Sequence, residues 1–225
     1  MTNSRTIQIY RRLRADIVSA RHRPGAKLKI DALGEELGIS PGAVREALSR
    51  LCSEGLVISQ PQRGFIVAPV SIEDLAYLTE VRITVESICV RRSIEKGDIA
   101  WETRIIGAWE ELQATPAFAP DPENGLEMAW NEAHGRLHAA LASACDNHWW
   151  IRFREQLFVQ SERYRQLSAP LAKHDRNVEK EHREIVEMTL SRNSEAATKL
   201  LADHLQKTTD ILLARSLLND EAIDR

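Results

Sequence analysis

The sequence predicts a mostly α-helical protein with two domains, because two different patterns follow one another along the 225-residue chain. Residues 1–70 combine short amphipathic helical segments with two short β-type runs. In residues 71–225 apolar side chains recur at helical spacing without an alternating strand pattern, which indicates an antiparallel all-α bundle. A chain of this length can build one small and one medium domain, each with its own core. We therefore predict domains at residues 1–70 and 71–225.

A helix-turn-helix is predicted within the first domain. A supporting helix is expected over residues 6–20, and a shorter helix that contains Leu33 stops at Gly38. Ser40 then offers a side-chain oxygen that caps a further helix, which opens with Pro41. This order of helix, short turn and helix is the arrangement that places one helix in a DNA major groove.

The second helix of this motif has one apolar face and one face available to DNA. Its apolar face consists of Val44, Ala47, Leu48 and Leu51. Gly42, Arg45 and Arg50 point elsewhere, so the first turns can be presented to a groove. Two β-type runs at residues 56–58 and 65–67 follow, joined by a connection with hairpin turn chemistry, and they predict a small β-hairpin wing. The predicted DNA contacts are Ser40, Gly42, Arg45, Arg50, Arg63 and Gly64.

Charge is distributed unevenly between the two predicted domains. Residues 1–70 carry eleven Lys and Arg against six Asp and Glu, a net charge of +5, whereas the remaining residues carry 19 against 27, a net charge of −8. A basic head on an acidic body is expected if only the head meets DNA phosphates. The alternative is an ordinary solvated charged surface.

The motifs of the first 70 residues carry a family resemblance. They include Leu37-Gly38-Ile39-Ser40, Val44-Arg45-Glu46-Ala47-Leu48, Glu54-Gly55-Leu56-Val57 and Gly64-Phe65-Ile66-Val67. This stretch resembles the winged helix-turn-helix of the GntR regulators, and the resemblance implies binding to double-stranded operator DNA. Members usually have Arg-Thr-Pro where this chain has Pro41-Gly42-Ala43, and often arginine where it has Asp31. Base contacts made by those family residues are therefore not transferred to this chain.

The second domain is predicted from successive helical segments separated by turn residues. The segments are a long helix from about residue 71 to the Gly97-Asp98 stop, then 101–113, 123–145, 148–168, 175–190 and 194–217. The last two are joined by a short turn at residues 191–194, so they are expected to lie antiparallel.

Four of the seven histidines have spacings that suit a metal site. His134 and His138 are four residues apart and therefore lie on one face of one helix. His182 and His204 flank the turn at 191–194, and a rise of about 1.5 Å per residue puts both roughly 12–15 Å from it, level with each other. Four imidazoles at one height suit Zn²⁺, Ni²⁺, Cu²⁺ or Fe²⁺. The alternative is a set of satisfied core histidines without a metal.

The stretches around these histidines resemble the FadR-type C-terminal ligand-binding domain of the GntR regulators, called FCD. They are 134–138, 144–147, 181–185 and 202–205. Family members typically hold a divalent metal with one carboxylate and three histidines, and His138, His182 and His204 match the histidine positions. His134 stands where the family has aspartate, so a neutral imidazole replaces an anion. The resemblance implies a metal on His134, His138, His182 and His204, with Zn²⁺ expected first and Ni²⁺ as the alternative.

The same resemblance implies a metabolite-responsive transcriptional regulator that acts as a homodimer, a repressor released by a small organic acid. Arg82 matches an arginine common on the family's first bundle helix, and its planar fork suits a carboxylate. Arg163, within the run 160–165, is the second candidate for effector binding. An ion pair with Glu86 is the alternative for Arg82.

Two competing functions stay open at the level of the sequence. The first is a metal-dependent hydrolase, but no glutamate follows His134 as a metalloprotease base, and a fourth imidazole would close the position that catalysis keeps open. The second is a structural dimerisation bundle attached to a DNA-binding head, and metal content would separate it from a sensor. We expect a regulator and not an enzyme.

The cellular compartment is predicted from targeting signals and cysteine usage. The first residues contain no signal-peptide pattern, and no stretch approaches the roughly 20 apolar residues of a membrane span. We therefore expect a cytoplasmic protein without a membrane partner. Cys52, Cys89 and Cys145 lack metal-type spacing and are expected to be reduced, mostly buried thiols.

Overall fold

A computed structural model describes residues 2–116, 126–168 and 176–214 of the chain. The described part is mostly α-helical with a small antiparallel sheet, and the predicted fold class is confirmed. The helices are α1 (Thr2–Val18), α2 (Ile30–Leu37), α3 (Pro41–Ser53), α4 (Ile72–Lys96), α5 (Ile99–Ala114), α6 (Leu126–Ala142), α7 (His148–Ser168), α8 (Val178–Leu190) and α9 (Ser194–Ala214). The strands are β1 (Lys27–Leu28), β2 (Val57–Gln60) and β3 (Gly64–Val67).

The described residues form two compact units, and each has its own hydrophobic core. One unit takes in those within Met1–Leu78, Phe158–Leu171 and Asp210–Arg225, and the other those within Thr79–Leu157 and Ala172–Thr209. The helix predicted at 148–168 has the bounds of α7. The predicted helix ends at 123–125, 175 and 215–217 lie outside the described residues.

The helix-turn-helix of the first unit is built by α2 and α3. Gly38 ends α2 with φ 64°, a left-handed conformation that glycine adopts without a steric penalty. The Ser40 hydroxyl then accepts a hydrogen bond from the Ala43 amide at 3.3 Å and caps α3, with Pro41 in the first turn. Apolar side chains of α1, α2, α3 and the sheet form one core: Ile9, Leu13, Ile17, Leu28, Leu33, Val44, Ala47, Leu48, Leu51, Leu56, Val57, Phe65 and Val67.

The wing is a three-stranded sheet in the order β1-β3-β2, with both pairs antiparallel. The hairpin of β2 and β3 was predicted; its turn contains Gln62 with φ 61°, and β3 begins at Gly64 with φ 84°. The third strand, β1, was not predicted, because a two-residue run such as Lys27-Leu28 carries no readable alternation. It pairs Leu28 with Phe65 and so fixes the start of the wing against the head core.

The core of the second unit is centred on a buried tryptophan. Trp101 is fully buried on α5, its indole N–H donates to the backbone oxygen of Ala140 at 3.0 Å, and its amide donates to the Asp98 cap at 2.8 Å. Gly97 packs so closely that a Cβ there would lie 2.0 Å from an atom of the Trp101 ring. This packing holds α4, α5 and α6 together, with Ile105, Leu137, Leu141, Ile185, Ala197 and Leu201 in the same core. None of the described helices is long and apolar enough to cross a membrane.

Candidate functional site

The predicted DNA contacts all lie on exposed positions of α3 and the wing. Ser40, Gly42, Arg45, Arg50, Arg63 and Gly64 are exposed. Other polar groups at this surface already have partners: the Ser40 hydroxyl caps α3, the Ser49 hydroxyl donates to the Arg45 backbone oxygen at 2.8 Å, and Arg50 pairs with Glu46 at 2.7 Å. The Arg45 guanidinium makes no hydrogen bond or ion pair to another described residue. Arg45 is therefore the donor on α3 that is ready to meet an outside acceptor.

The four predicted histidines come together inside the second unit. His134 and His138 extend from α6, His182 from α8 and His204 from α9, and their exposed fractions are 3%, 1%, 1% and 4%. Their ligand atoms all lie within 4.8 Å of one another. The Nε2 atoms of His134 and His138 are 3.1 Å apart, and the ring centroids of His182 and His204 are 4.5 Å apart. The helical hairpin thus brings its two histidines level, as the spacing predicted.

Burial of the cluster favours the neutral form of His138, His182 and His204. Burial lowers the pKa of His138 and of His182 well below the ordinary value, with a further contribution from the neighbouring His204. Burial also lowers the pKa of His204 to about 4, although its contact with Glu181 acts in the opposite direction. A neutral imidazole keeps a lone pair for a metal ion.

The residues present fit a divalent metal. His182 Nε2 is buried and has no hydrogen-bond partner among the described residues, an arrangement that costs free energy unless a ligand completes it. The other ring contact of His182 is to the backbone of Val178, which leaves Nε2 facing its three neighbours. Trp130 stacks on the His134 ring with centroids 4.9 Å apart and fixes the plane of the imidazole. Four nitrogen donors in this space suit Zn²⁺, Ni²⁺ or Cu²⁺.

A buried pair of arginines lies close to the histidines. Arg82 Nε is 3.4 Å from one Glu86 oxygen, and Arg154 Nε is 2.9 Å from the other. Both cations lower the pKa of His138, so both act electrostatically on the cluster. The ion pair between Arg82 and Glu86 that the sequence left open is therefore present, and it is buried.

Arg154 was missed by the sequence analysis. It lies on α7 between Ile151 and Leu157, three residues from each, in a stripe that packs on the small core around Cys89. The sequence signal that could have found it is an arginine inside an apolar stripe, which indicates a buried cation with a partner, because a cation is buried only where it is paired.

Arg163 has a different setting from Arg82. It belongs to the first unit, where its guanidinium donates to the backbone oxygen of Ala68 and, at 3.1 Å, to the Gln160 side chain. The next residue, Tyr164, donates to an Asp74 oxygen at 2.5 Å and accepts from the Ser71 amide at 3.3 Å. In this structure Arg163 therefore binds the segment that follows the wing.

A DNA-reading head and a helical domain with a buried histidine cluster together define a class of bacterial transcriptional regulators, and known proteins match both parts. Residues 5–67 match the bacterial regulatory proteins of the gntR family, and residues 77–207 match the FCD domain. The HTH-type transcriptional regulator BphR of Paraburkholderia xenovorans (strain LB400) is 37% identical over 93% of this chain and 85% of its own length. The HTH-type transcriptional repressor GlaR of Escherichia coli (strain K12) is 29% identical over 87% of this chain and 90% of its own.

Solved structures show the same fold. Escherichia coli McbR/YncC aligns with a TM-score of 0.77 at 22% identity, covering 94% of this chain and 98% of that chain. The chain belongs to the GntR family of transcriptional regulators and carries an FCD domain.

Proposed function

We propose that this regulator is a metal-loaded repressor that dissociates from operator DNA when it binds a small organic acid. The observation that carries the proposal is the buried set of four histidines beside two arginines, in a chain whose α3 helix has one face exposed. The FCD match supports ligand response, and the relative GlaR is named a repressor.

The metal of the proposal is held by His134, His138, His182 and His204, and Zn²⁺ is the first choice with Ni²⁺ next. When bound, such an ion supplies a positive centre that can take a carboxylate oxygen as a further ligand. Because imidazole binds a metal as a neutral ligand, four imidazoles leave the full positive charge of the ion in place. A site of this charge favours an anionic ligand.

Arg82 is the proposed contact for the effector's carboxylate. It is buried, paired with one Glu86 oxygen through two long contacts of 3.4 Å from Nε and Nη2, and near enough to His138 to lower the pKa of that ring. Arg154 holds Glu86 more tightly, at 2.9 Å, and so supports the position of Arg82. Arg163 uses its donors on Ala68 and Gln160, so we assign it to positioning the segment after the wing and not to the effector.

The DNA-binding part of the proposal places residues 1–70 on an operator and residues 71–225 in effector binding and dimerisation. A homodimer is proposed because one recognition helix buries too little surface for specific binding, and paired heads read half-sites about one turn apart. Ser40, Gly42, Arg45, Arg50, Arg63 and Gly64 form the proposed DNA surface. DNA as the partner places the working protein in the cytoplasm.

The test uses full-length protein, loaded with Zn²⁺ or stripped by a chelator, bound to a fluorescent operator fragment selected from random DNA. A panel of small mono- and dicarboxylic acids is then titrated in. The proposal expects that at least one acid releases the DNA from loaded protein, and that Arg82→Gln weakens this response while operator affinity without acid is retained. An acid response that is equal in stripped and loaded protein would contradict the role of the metal.

A further inference from the structure

A polar network on the outer side of the histidine cluster ends at His204. His204 Nδ1 donates to a Glu181 oxygen at 2.8 Å. Glu181 in turn accepts hydrogen bonds from Arg176. Arg176 Nε lies 3.1 Å from both carboxylate oxygens, and its Nη2 lies 2.7 Å from one of them. Lys207 lies 3.3 Å from the other oxygen, at the edge of the network.

Arg176 connects Glu181 to the backbone of α9. Its Nη2 also donates to the His204 backbone oxygen at 2.8 Å, and its Nη1 donates to the Thr208 hydroxyl at 2.8 Å. The guanidinium therefore touches α9 at two points, one turn apart, while holding the carboxylate. A planar fork that satisfies several acceptors at once fixes their relative positions.

The protonation of this network is determined by its chemistry. The Glu181 carboxylate accepts hydrogen bonds from Arg176 Nε and Nη2, and because arginine is only a donor, these contacts require acceptor oxygens on Glu181. An ionised carboxylate only accepts hydrogen bonds, so Nδ1 of His204 must carry the proton. Arg176 Nη2 also lies 3.1 Å from Nδ1, but its two hydrogens are directed at Glu181 and at the His204 backbone oxygen, so none is left to donate to Nδ1. The lone pair of neutral His204 is then on Nε2, the nitrogen left for the cluster.

We infer that Glu181, held by Arg176, is a positioning residue for the metal centre. Glu181 fixes the tautomer and the ring orientation of His204. The inference rests on the proposed metal site. His182 has a different anchor, its contact with the backbone of Val178, whereas the hydrogen bond of Glu181 is to His204. A carboxylate behind a ligating histidine also raises its basicity, and loss of such a partner typically costs about 10- to 100-fold in metal affinity.

The test measures Zn²⁺ affinity of full-length protein by competition with a chromophoric chelator. Glu181→Gln keeps the size of the side chain and removes its charge, and it should weaken Zn²⁺ binding by about 10- to 100-fold. Glu184→Gln is the matched control, since Glu184 lies on the same helix and, among the residues that the structure describes, pairs only with exposed Lys180, at 3.7 Å. The control should bind Zn²⁺ as the parent does. Arg176→Gln is the second variant, because it keeps Glu181 but removes the guanidinium that binds it. Its Zn²⁺ affinity should lie between those of Glu181→Gln and the control.

A spectroscopic measurement separates positioning from loss of folding. In the metal-free parent, the ¹⁵N NMR spectrum should show His204 protonated at Nδ1. In Glu181→Gln it should show a mixture of the Nδ1 and Nε2 tautomers, while the far-UV circular dichroism spectrum is unchanged. Equal Zn²⁺ affinity of Glu181→Gln and the parent would overturn the inference and leave the metal site standing. A parent that binds no Zn²⁺ would overturn both. If Glu181→Gln does not fold, Arg176→Gln decides, and unchanged affinity there counts against the inference.

Discussion

Replacing Arg45 by alanine tests the DNA-reading surface at its most available donor. Arg45 is exposed on α3, and no described residue holds its guanidinium by a hydrogen bond or an ion pair. Removal should therefore cost the fold little, within about 0.5 kcal/mol for an exposed surface site. Arg45 is not part of the buried core of the head, to which α3 contributes Val44 and Leu48.

The expected loss in DNA binding is much larger. A bidentate contact from arginine to a guanine edge is worth about 1–3 kcal/mol. One such contact corresponds to about 5- to 150-fold in Kd, and a homodimer on a two-fold operator loses it twice. If Arg45 meets a phosphate instead, the loss is similar for all sequences, and the slope of log Kd against log salt falls by about one per contact.

The assay is fluorescence anisotropy on a selected operator and on a scrambled fragment, at several salt concentrations. Arg183→Ala is the matched control, because it removes another exposed arginine, paired with Glu179 on α8 at 2.5 Å. Arg183→Ala should bind the operator with the parent's affinity. The reasoning about α3 is refuted if Arg45→Ala also retains the parent's affinity and the same thermal stability.

Two further predictions address packing and assembly. Gly97→Ala should lower the free energy of unfolding by about 1–3 kcal/mol, because its Cβ would lie 2.0 Å from the Trp101 ring and 2.7 Å from the Ser93 backbone oxygen. Gly107→Ala on α5, where a Cβ meets nothing within 4 Å, should instead be neutral or stabilising by up to about 1 kcal/mol. Chemical denaturation measures the free energy of unfolding of both variants, and equal changes in the two would contradict the prediction. Sedimentation should show a homodimer that binds one two-fold operator, and a strict monomer with and without DNA would exclude the proposed pairing of heads.

Local signals in the sequence were sufficient for much of this fold. The Gly38 stop, the Ser40 cap and Pro41 act on their own neighbours, so the start of α3 can be read without tertiary information. The level arrangement of His182 and His204 also follows from one short turn and a fixed helical rise. Features determined within a turn of helix or a helical hairpin are therefore readable from the chain.

Features that depend on long-range partners were not readable in the same way. Strand β1 exists because Leu28 pairs with Phe65, which is distant in sequence. Arg154 is buried because Glu86 on another helix accepts its hydrogen bond. The partner of Arg163 is a backbone oxygen, Ala68, and a backbone group has no sequence signature. In each case the partner, and not the local pattern, determines the position of the side chain.

The central claim is that four histidines of the helical domain hold a metal, and elemental analysis of the parent beside its four single histidine-to-alanine variants tests it most directly. Each protein is stripped, refilled with Zn²⁺ or Ni²⁺ and freed of excess ion. The account predicts one ion per chain in the parent, and loss of the ion in His138→Ala, His182→Ala and His204→Ala. His134→Ala should lose it as well, since its Nε2 lies 3.1 Å from that of His138. A refilled parent that retains neither metal would contradict the claim and leave these residues as a buried histidine core.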